Sequence, residues 1–293
     1  MKTITKKLIF PLCALLLSSC NHDLKFIDPE ESGMRTLKLK GVSVEGMESG
    51  DLSKVDVFMF SGGKKYKTDQ LDFRQGGDIT VFGRGGLYFF SGGDFPSHPN
   101  DISEEDFRAI AFGEGLHDNS APEFYAARVD YSGTGAGESD LQVNMKRGVA
   151  RIDLNTLADD GTLITEITVE NAPEETLPFN EAVEAPSGKR IKYTKRFEEP
   201  FSGKMSGLFR IFESGSPVNI SIRGTHGDLP VSLRMTLPSI ARNKIYTLEI
   251  LNAGSSQTVQ FNVRDWEEGD TITGRPDVSP VSYTHLRAHE TEA

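Results

Sequence analysis

Cysteine is nearly absent from this chain. Only Cys13 and Cys20 occur in 293 residues, both within the first twenty positions. Whatever folds beyond them has no disulfide and no thiol cluster, so its stability rests on packing. Basic excess is missing too: 32 Lys and Arg stand against 43 Asp and Glu, a formal charge of −11. Lys2, Lys6 and Lys7 sit in the extreme N-terminus, so the remainder is more acidic still. A chain without a basic stripe cannot neutralise a phosphate backbone, which excludes nucleic acid as a partner. Long stretches of helical period are scarce, while glycine (29) and proline (14) are plentiful.

Catalytic and ligand-holding patterns are equally thin. "GTGAGE" lacks the third glycine of a dinucleotide fingerprint and opens no helical pattern. "FSGGKK" has a Gly-Lys pair without the spacing of a phosphate loop. "ADDGT" would be a calcium loop only if Thr156 and Ala158 were ligands, which they are not. His22, His98, His117 and His226 stand alone in loop-like segments, none spaced with another for metal ligation. No G-x-S-x-G frames a nucleophile. Acids distant in sequence can still converge in a fold, but nothing here points to an enzyme, a cofactor or a metal.

What is present begins with a processing segment. In "MKTITKKLIFPLCALLLSSC" a basic start leads into an apolar run, Leu8–Leu17, too short to span a bilayer as a permanent helix. Ser18 and Ser19 then precede Cys20. The ending "LSSC" resembles a bacterial lipobox, which implies cleavage before Cys20 and acylation of that residue; an ordinary signal peptide is the alternative. Two or three acyl chains, at roughly 0.8 kcal/mol per buried CH₂, make a firm anchor. At the other end, residues 279–293 ("PVSYTHLRAHETEA" from its second letter) have no clear period and read as a non-native or disordered tail, without weight for function.

Between these ends the chain reads as mostly β. Residues 20–35 form a polar tether. "TLKLKGVSV" is a strand with Leu37, Leu39, Val42 and Val44 as its apolar positions. "KVDVFMF" is dense in apolar residues, as a strand buried on both faces is. "SGGKKY" is a Gly-Gly hairpin signal. "DITVFGRGGLYFFSGG" holds two strands around a glycine turn. "SEEDFRAIAF" is the one good helix, with Ser103 as N-cap and acids in its first turn. "EFYAARVDY" is a strand and "SGTGAGESD" a flexible loop. Two strand-like runs in "LQVNMKRGVARIDLN" meet at Arg147–Gly148, where a domain boundary is expected, giving an N-terminal domain over 36–147 and a C-terminal one over 148–278. Further strands recur at short spacing to "TVQFNVRDW", the pattern of sandwiches. No repeat of fixed period is visible. The expected fold is two tandem antiparallel β-sandwich domains of Greek-key, transthyretin-like kind, with one short helix in the first.

The order of these pieces resembles the fimbrillin superfamily, the lipoprotein-derived fimbrial subunits of Bacteroidota. The resemblance rests on "CNHD" after the lipobox, "KVDVFMF", "GLYFFSGG" before the "SEEDFRAIAF" helix, "YSGTGAGE" before the junction, and "RNKIYTLEI" followed by "VQFNVRDWEEGDTI". It implies an outer-membrane lipid anchor at Cys20, a surface location, other fimbrial subunits as partners, and adhesion to a host or bacterial receptor. In stalk subunits of such a family, a protease cuts at an arginine after the first strand. The strand departs, and a C-terminal strand of the next subunit fills the groove. That makes Leu37, Leu39, Val42 and Val44 the strand covering a groove. Val259, Phe261, Val263 and Trp266 become either a donor or simply the closing strand of their own sandwich.

One departure stands out. The linker "EGMESGDLS" after the first strand contains no arginine. Arg35 lies before that strand as read here, and Lys54 is the other basic candidate for a cut. An uncut, anchored accessory subunit therefore fits as well as a stalk subunit. A surface glycan-binding lipoprotein is the rival reading, and it would need the aromatics of "YFF", "EFY" and "FRIF" to be exposed in a row.

Overall fold

The computed structural model describes residues 34–44, 54–72, 76–115, 119–132, 137–156, 161–181, 187–253 and 256–266. Cys20, the linker 45–53 and the tail lie outside them.

The first unit contains β1 (Met34–Val44), β2 (Val55–Ser61), β3 (Lys64–Leu71), β4 (Gly77–Phe82), β5 (Gly85–Ser91), α1 (Glu104–Arg108), β6 (Tyr125–Tyr131) and β7 (Gly137–Arg147). Its strands make one seven-stranded sheet in the order β3-β2-β5-β6-β7-β1-β4. The sheet turns a corner where β6 and β7 share only two residue pairs, Tyr125–Arg147 and Ala126–Lys146. Its two halves thereby close on each other. Leu37, Val57, Ile79, Phe89 and Val143, drawn from both halves, belong to a single buried cluster.

Local chemistry explains the elements. Gly62 and Gly63 both have positive φ, +57° and +78°. That is the primed turn a two-residue hairpin needs, and it joins β2 to β3. Ser103 caps α1, its hydroxyl accepting from the Asp106 N–H at 3.0 Å, with Glu104, Glu105 and Asp106 in the positive first turn. Phe107 is the helix's buried residue. β4 and β5 do not pair with each other. The Gly83–Arg84 turn instead carries the chain from one layer to the other, since β4 lies against β1 and β5 against β2 and β6. Strand β7 begins at Gly137, so Gly137–Asp140 is strand and not the loop expected there.

The second unit contains β8 (Val149–Asn155), β9 (Thr162–Pro173), β10 (Arg190–Phe201), β11 (Lys204–Phe212), β12 (Val218–His226), β13 (Leu229–Leu237), β14 (Lys244–Ala253) and β15 (Ser256–Asp265). Two four-stranded sheets, β10-β9-β12-β13 and β11-β8-β14-β15, pack around Ile152, Leu154, Ile167, Ile220, Leu237 and Leu248. The sheets are antiparallel with two exceptions, the parallel pairs β1–β7 and β8–β14.

Those exceptions expose a repeat that no fixed sequence period announces. Adding seven to each strand number of the first unit turns β3-β2-β5-β6 into β10-β9-β12-β13, and β4-β1-β7 into β11-β8-β14. The units share one topology, and β15 is the only strand without a counterpart among the described residues.

The units meet through a third buried cluster. β2 and β5 present Phe58, Phe60, Tyr88 and Phe90 on their outer face. Phe107, Phe112 and Phe124 join them from the first unit, and Val149, Phe212, Ile245 and Trp266 from the second. Burial on both faces is why "KVDVFMF" and "GLYFFS" read as near-continuous apolar runs. At the crossing, a Cβ added to Gly148 would lie 1.9 Å from the Phe124 ring, so only glycine fits.

Candidate functional site

β1 is an interior strand. It pairs in parallel with β7 over nine residue pairs and antiparallel with β4 over six. Leu37 and Leu39 are buried in the core of the first unit. The register slips by one between Leu39 and Gly41, a bulge at Lys40. This explains the uneven apolar spacing of 37, 39, 42, 44: the slip sets Val42 and Val44 opposite Val143 and Met145. Without β1, the facing edges of β4 and β7 and the side chains of Ile79, Val81, Leu141 and Val143 would meet water. The two leucines alone stabilise the closed state by about 3–6 kcal/mol.

The basic residues proposed for cleavage fall in different settings. Arg35 lies within β1, not before it, because the strand starts at Met34. Its backbone pairs with Val81 and Gly137, and its guanidinium donates to the Ser132 carbonyl at 3.3 Å. A protease needs an extended, unpaired segment, so Arg35 is sheltered by the sheet. Lys54 is exposed, immediately before β2, and its carbonyl accepts from the Ser91 hydroxyl at 2.8 Å.

The closing strand divides into two functional parts. β15 pairs with β14 over ten residue pairs and forms the edge of its sheet. Val259 is buried and Phe261 and Val263 are half-buried, all three against the core of the second unit. Trp266 is out of phase with them. It lies an odd number of positions from each member of that row, so it leaves the strand on the other side and enters the cluster between the units. The four residues therefore do not share one face of the strand.

Two cations lie against the ring of Trp266. The Arg147 guanidinium lies 3.8 Å and that of Arg151 4.9 Å from the centre of its ring system. Arg147 is almost wholly buried (1 % exposed) and is held by Glu123 at 2.8 Å. Glu123 also accepts from the Tyr125 hydroxyl at 2.5 Å. Burial, followed by the nearby carboxylate, pushes the Tyr125 phenol up to about 12. Arg151 is oriented by two hydrogen bonds to Asp153, at 2.9 and 3.0 Å. This bridge was not legible beforehand; the one available sign was a lone tryptophan following an otherwise regular strand.

No group of three or more His, Cys, Asp or Glu able to hold a metal occurs among the described residues. No helix among them is long and apolar enough to cross a membrane.

No family model and no curated protein matches the chain. Solved structures do. The chain is similar to the tip fimbrial protein Mfa3 of Porphyromonas gingivalis, solved with a C-terminal truncation, at a TM-score of 0.54 and 12% identity, with 80% of this chain and 100% of that one covered. It is similar to a fimbrilin (FimA) of Porphyromonas gingivalis W83 at a TM-score of 0.54 and 11% identity, with 81% and 99% covered. At such identity the likeness concerns the fold. The chain has a fimbrillin-like fold, mostly β, with two tandem sandwich units and one short helix in the first.

Proposed function

We propose that this protein is a non-enzymatic surface lipoprotein, anchored in the outer membrane through Cys20, that acts as a fimbrillin-like subunit in fimbria assembly by β-strand addition and in adhesion. The observation that carries the reading is the position of β1. It is the chain's first described strand, it enters from the tether, and it fills a slot between β4 and β7 that another extended strand of alternating apolar side chains would fit. The partners are other fimbrial subunits and a surface receptor. Because the 45–53 linker has no arginine and Arg35 is paired within the sheet, the anchor or accessory role is favoured over the stalk.

The rival glycan-binding reading has lost its motive. Tyr88, Phe89, Phe90, Phe124, Phe209 and Phe212 of the aromatic runs are all buried, so none of them is placed to stack on a sugar face.

The test is the mass of the N-terminal peptide of protein taken from the native cell surface. An acylated peptide starting at Cys20 is expected, and it means that β1 is retained and the slot is filled. A free amine beyond residue 45 would overturn the anchor role and make the subunit an acceptor. An unmodified start at any other position before residue 34 would overturn lipid anchoring.

A further inference from the structure

The shared topology of the two units leaves one position unequal. In the second unit β15 lies beside β14. In the first unit the matching position beside β7 is empty over Gly137–Val143 among the described residues, because β6 leaves β7 after two residue pairs. β15 itself has no hydrogen-bonded strand on its outer side, with β13 of the facing sheet close by. Besides the outermost strands β3, β4, β10, β11 and β13, the described residues thus leave two edges open at this matching position, one on each unit.

The two edges are complementary. On β7, Leu141 and Val143 face the core, and Glu138, Asp140 and Gln142 are exposed. On β15, Phe261 and Val263 face the core, and Asn262 and Arg264 are exposed. Set antiparallel with Arg264 opposite Asp140, the strands place Asn262 opposite Gln142, Val263 opposite Leu141 and Phe261 opposite Val143. Apolar meets apolar on one face, amide meets amide on the other, and the one cation meets a carboxylate. A shift of two residues brings Arg264 to Glu138 and preserves the faces; a shift of one would turn every side chain to the wrong side. Both acids already have a lysine partner on β1, Lys38 for Glu138 at 2.5 Å and Lys40 for Asp140 at 3.7 Å, so Arg264 would flank a carboxylate from the side of β7 opposite its lysine.

We infer that the outer edge of β7 is a docking site for the outer edge of β15 of a second copy of this chain. The two sheets join into one without loss of β1 and without exchange of strands. Because the two edges lie on different units, the contact is head-to-tail, and it propagates as a row of copies unless the rotation between them closes a ring. This inference is independent of whether β1 is ever removed.

Sedimentation velocity of the full chain over a concentration series tests it, with Asp140→Lys and Arg264→Glu as the variants. Both residues are exposed, and far-UV circular dichroism checks that each variant is folded. The wild type is expected to associate with concentration, and each reversal to weaken that association roughly tenfold, as like charges meet across the edge. An equimolar mixture of the two variants is expected to return to near wild-type association, since each then offers the other a matched edge. A monomeric wild type throughout the series would overturn the inference. So would association indifferent to both reversals, or a mixture no better than its components.

Discussion

Replacing Trp266 with alanine tests whether the two units are joined by a true core or merely touch. The indole is buried against Arg147 and Arg151 and shares a cluster with Phe124, Val149, Phe212 and Ile245. Truncating a buried tryptophan to alanine costs about 3–5 kcal/mol. Losing two cation–ring contacts adds roughly 0.5–2 kcal/mol, the upper part applying to Arg147, which has almost no water to fall back on. The expected loss is therefore about 4–6 kcal/mol, a large part of the ~5–15 kcal/mol that holds a domain folded. Trp266→Phe keeps an apolar ring for the guanidinium and is expected to cost about half as much. Guanidinium unfolding followed by far-UV circular dichroism is the assay. At a slope of about 4 kcal/mol per molar, the alanine variant's midpoint falls by roughly 1–1.5 M. The wild type carries a single tryptophan, so its fluorescence reports this junction alone. It should be poorly quenched by acrylamide and should change together with the dichroism. A midpoint shift below about 0.2 M would refute the placement of Trp266 in a load-sharing core, and so would fluorescence that changes well before the dichroism.

Other perturbations follow from named contacts. Gly148→Ala forces a Cβ into the Phe124 ring and should cost roughly 1–3 kcal/mol or more by overpacking, read in the same unfolding assay; an unchanged midpoint would contradict the close approach. Glu213→Gln leaves the buried Arg242, which also donates to the Leu177 and Pro178 carbonyls, without its counter-charge, and should destabilise by about 3–5 kcal/mol. Leu39→Ala should cost about 2–5 kcal/mol, whereas Met34→Ser, at the exposed start of the same strand, should be near neutral; equal effects would contradict the burial of β1. Burial raises six of the seven tyrosines, Tyr66, Tyr88, Tyr125, Tyr131, Tyr193 and Tyr246. A phenol is neutral when protonated, so the native state holds its protons above pH ~10 while the unfolded state gives them up. Their contribution is full below pH ~10 and is lost as pH rises through the raised values, from about 10 to 12 for Tyr125. Phenolate absorbance should rise late and together with loss of dichroism; phenols ionising near 10 in an intact fold would contradict the burial.

How much of this was legible depends on the range of the interaction. Gly62–Gly63 and Ser103–Asp106 act within four residues, and the hairpin and the helix start where those residues put them. The continuous apolar run around Phe58 announced a central strand, because burial on both faces leaves its mark on every position of the strand. The run around Phe89 was legible as a strand, and its second buried face emerges from the contact between the units. The start of β1 did not: Met34 and Arg35 look like tether, and only pairing with Phe82, Val81 and Gly137, distant in sequence, makes them strand. The acid- and glycine-rich start of β7 was hidden for the same reason, since Glu138 and Asp140 are solvent-facing positions of a paired strand.

Trp266 shows the limit most clearly. Alternation along Val259, Phe261 and Val263 invites the next large apolar residue into the same row, but parity sends Trp266 to the opposite side of β15. On that side it joins the cluster between the units and meets Arg147, itself held by Glu123, both from the other unit. The consequence reaches the function proposed for the chain. A strand followed at once by a residue held by two arginines at the junction of the units cannot leave its sheet as freely as its edge position alone would allow. Donation of β15 to a neighbour would strip Trp266 from Arg147 and open the junction together with the second core, at the combined cost of both. Pairing along the outer edge of β15 asks for neither, and for this chain it is the less costly route from one copy to the next.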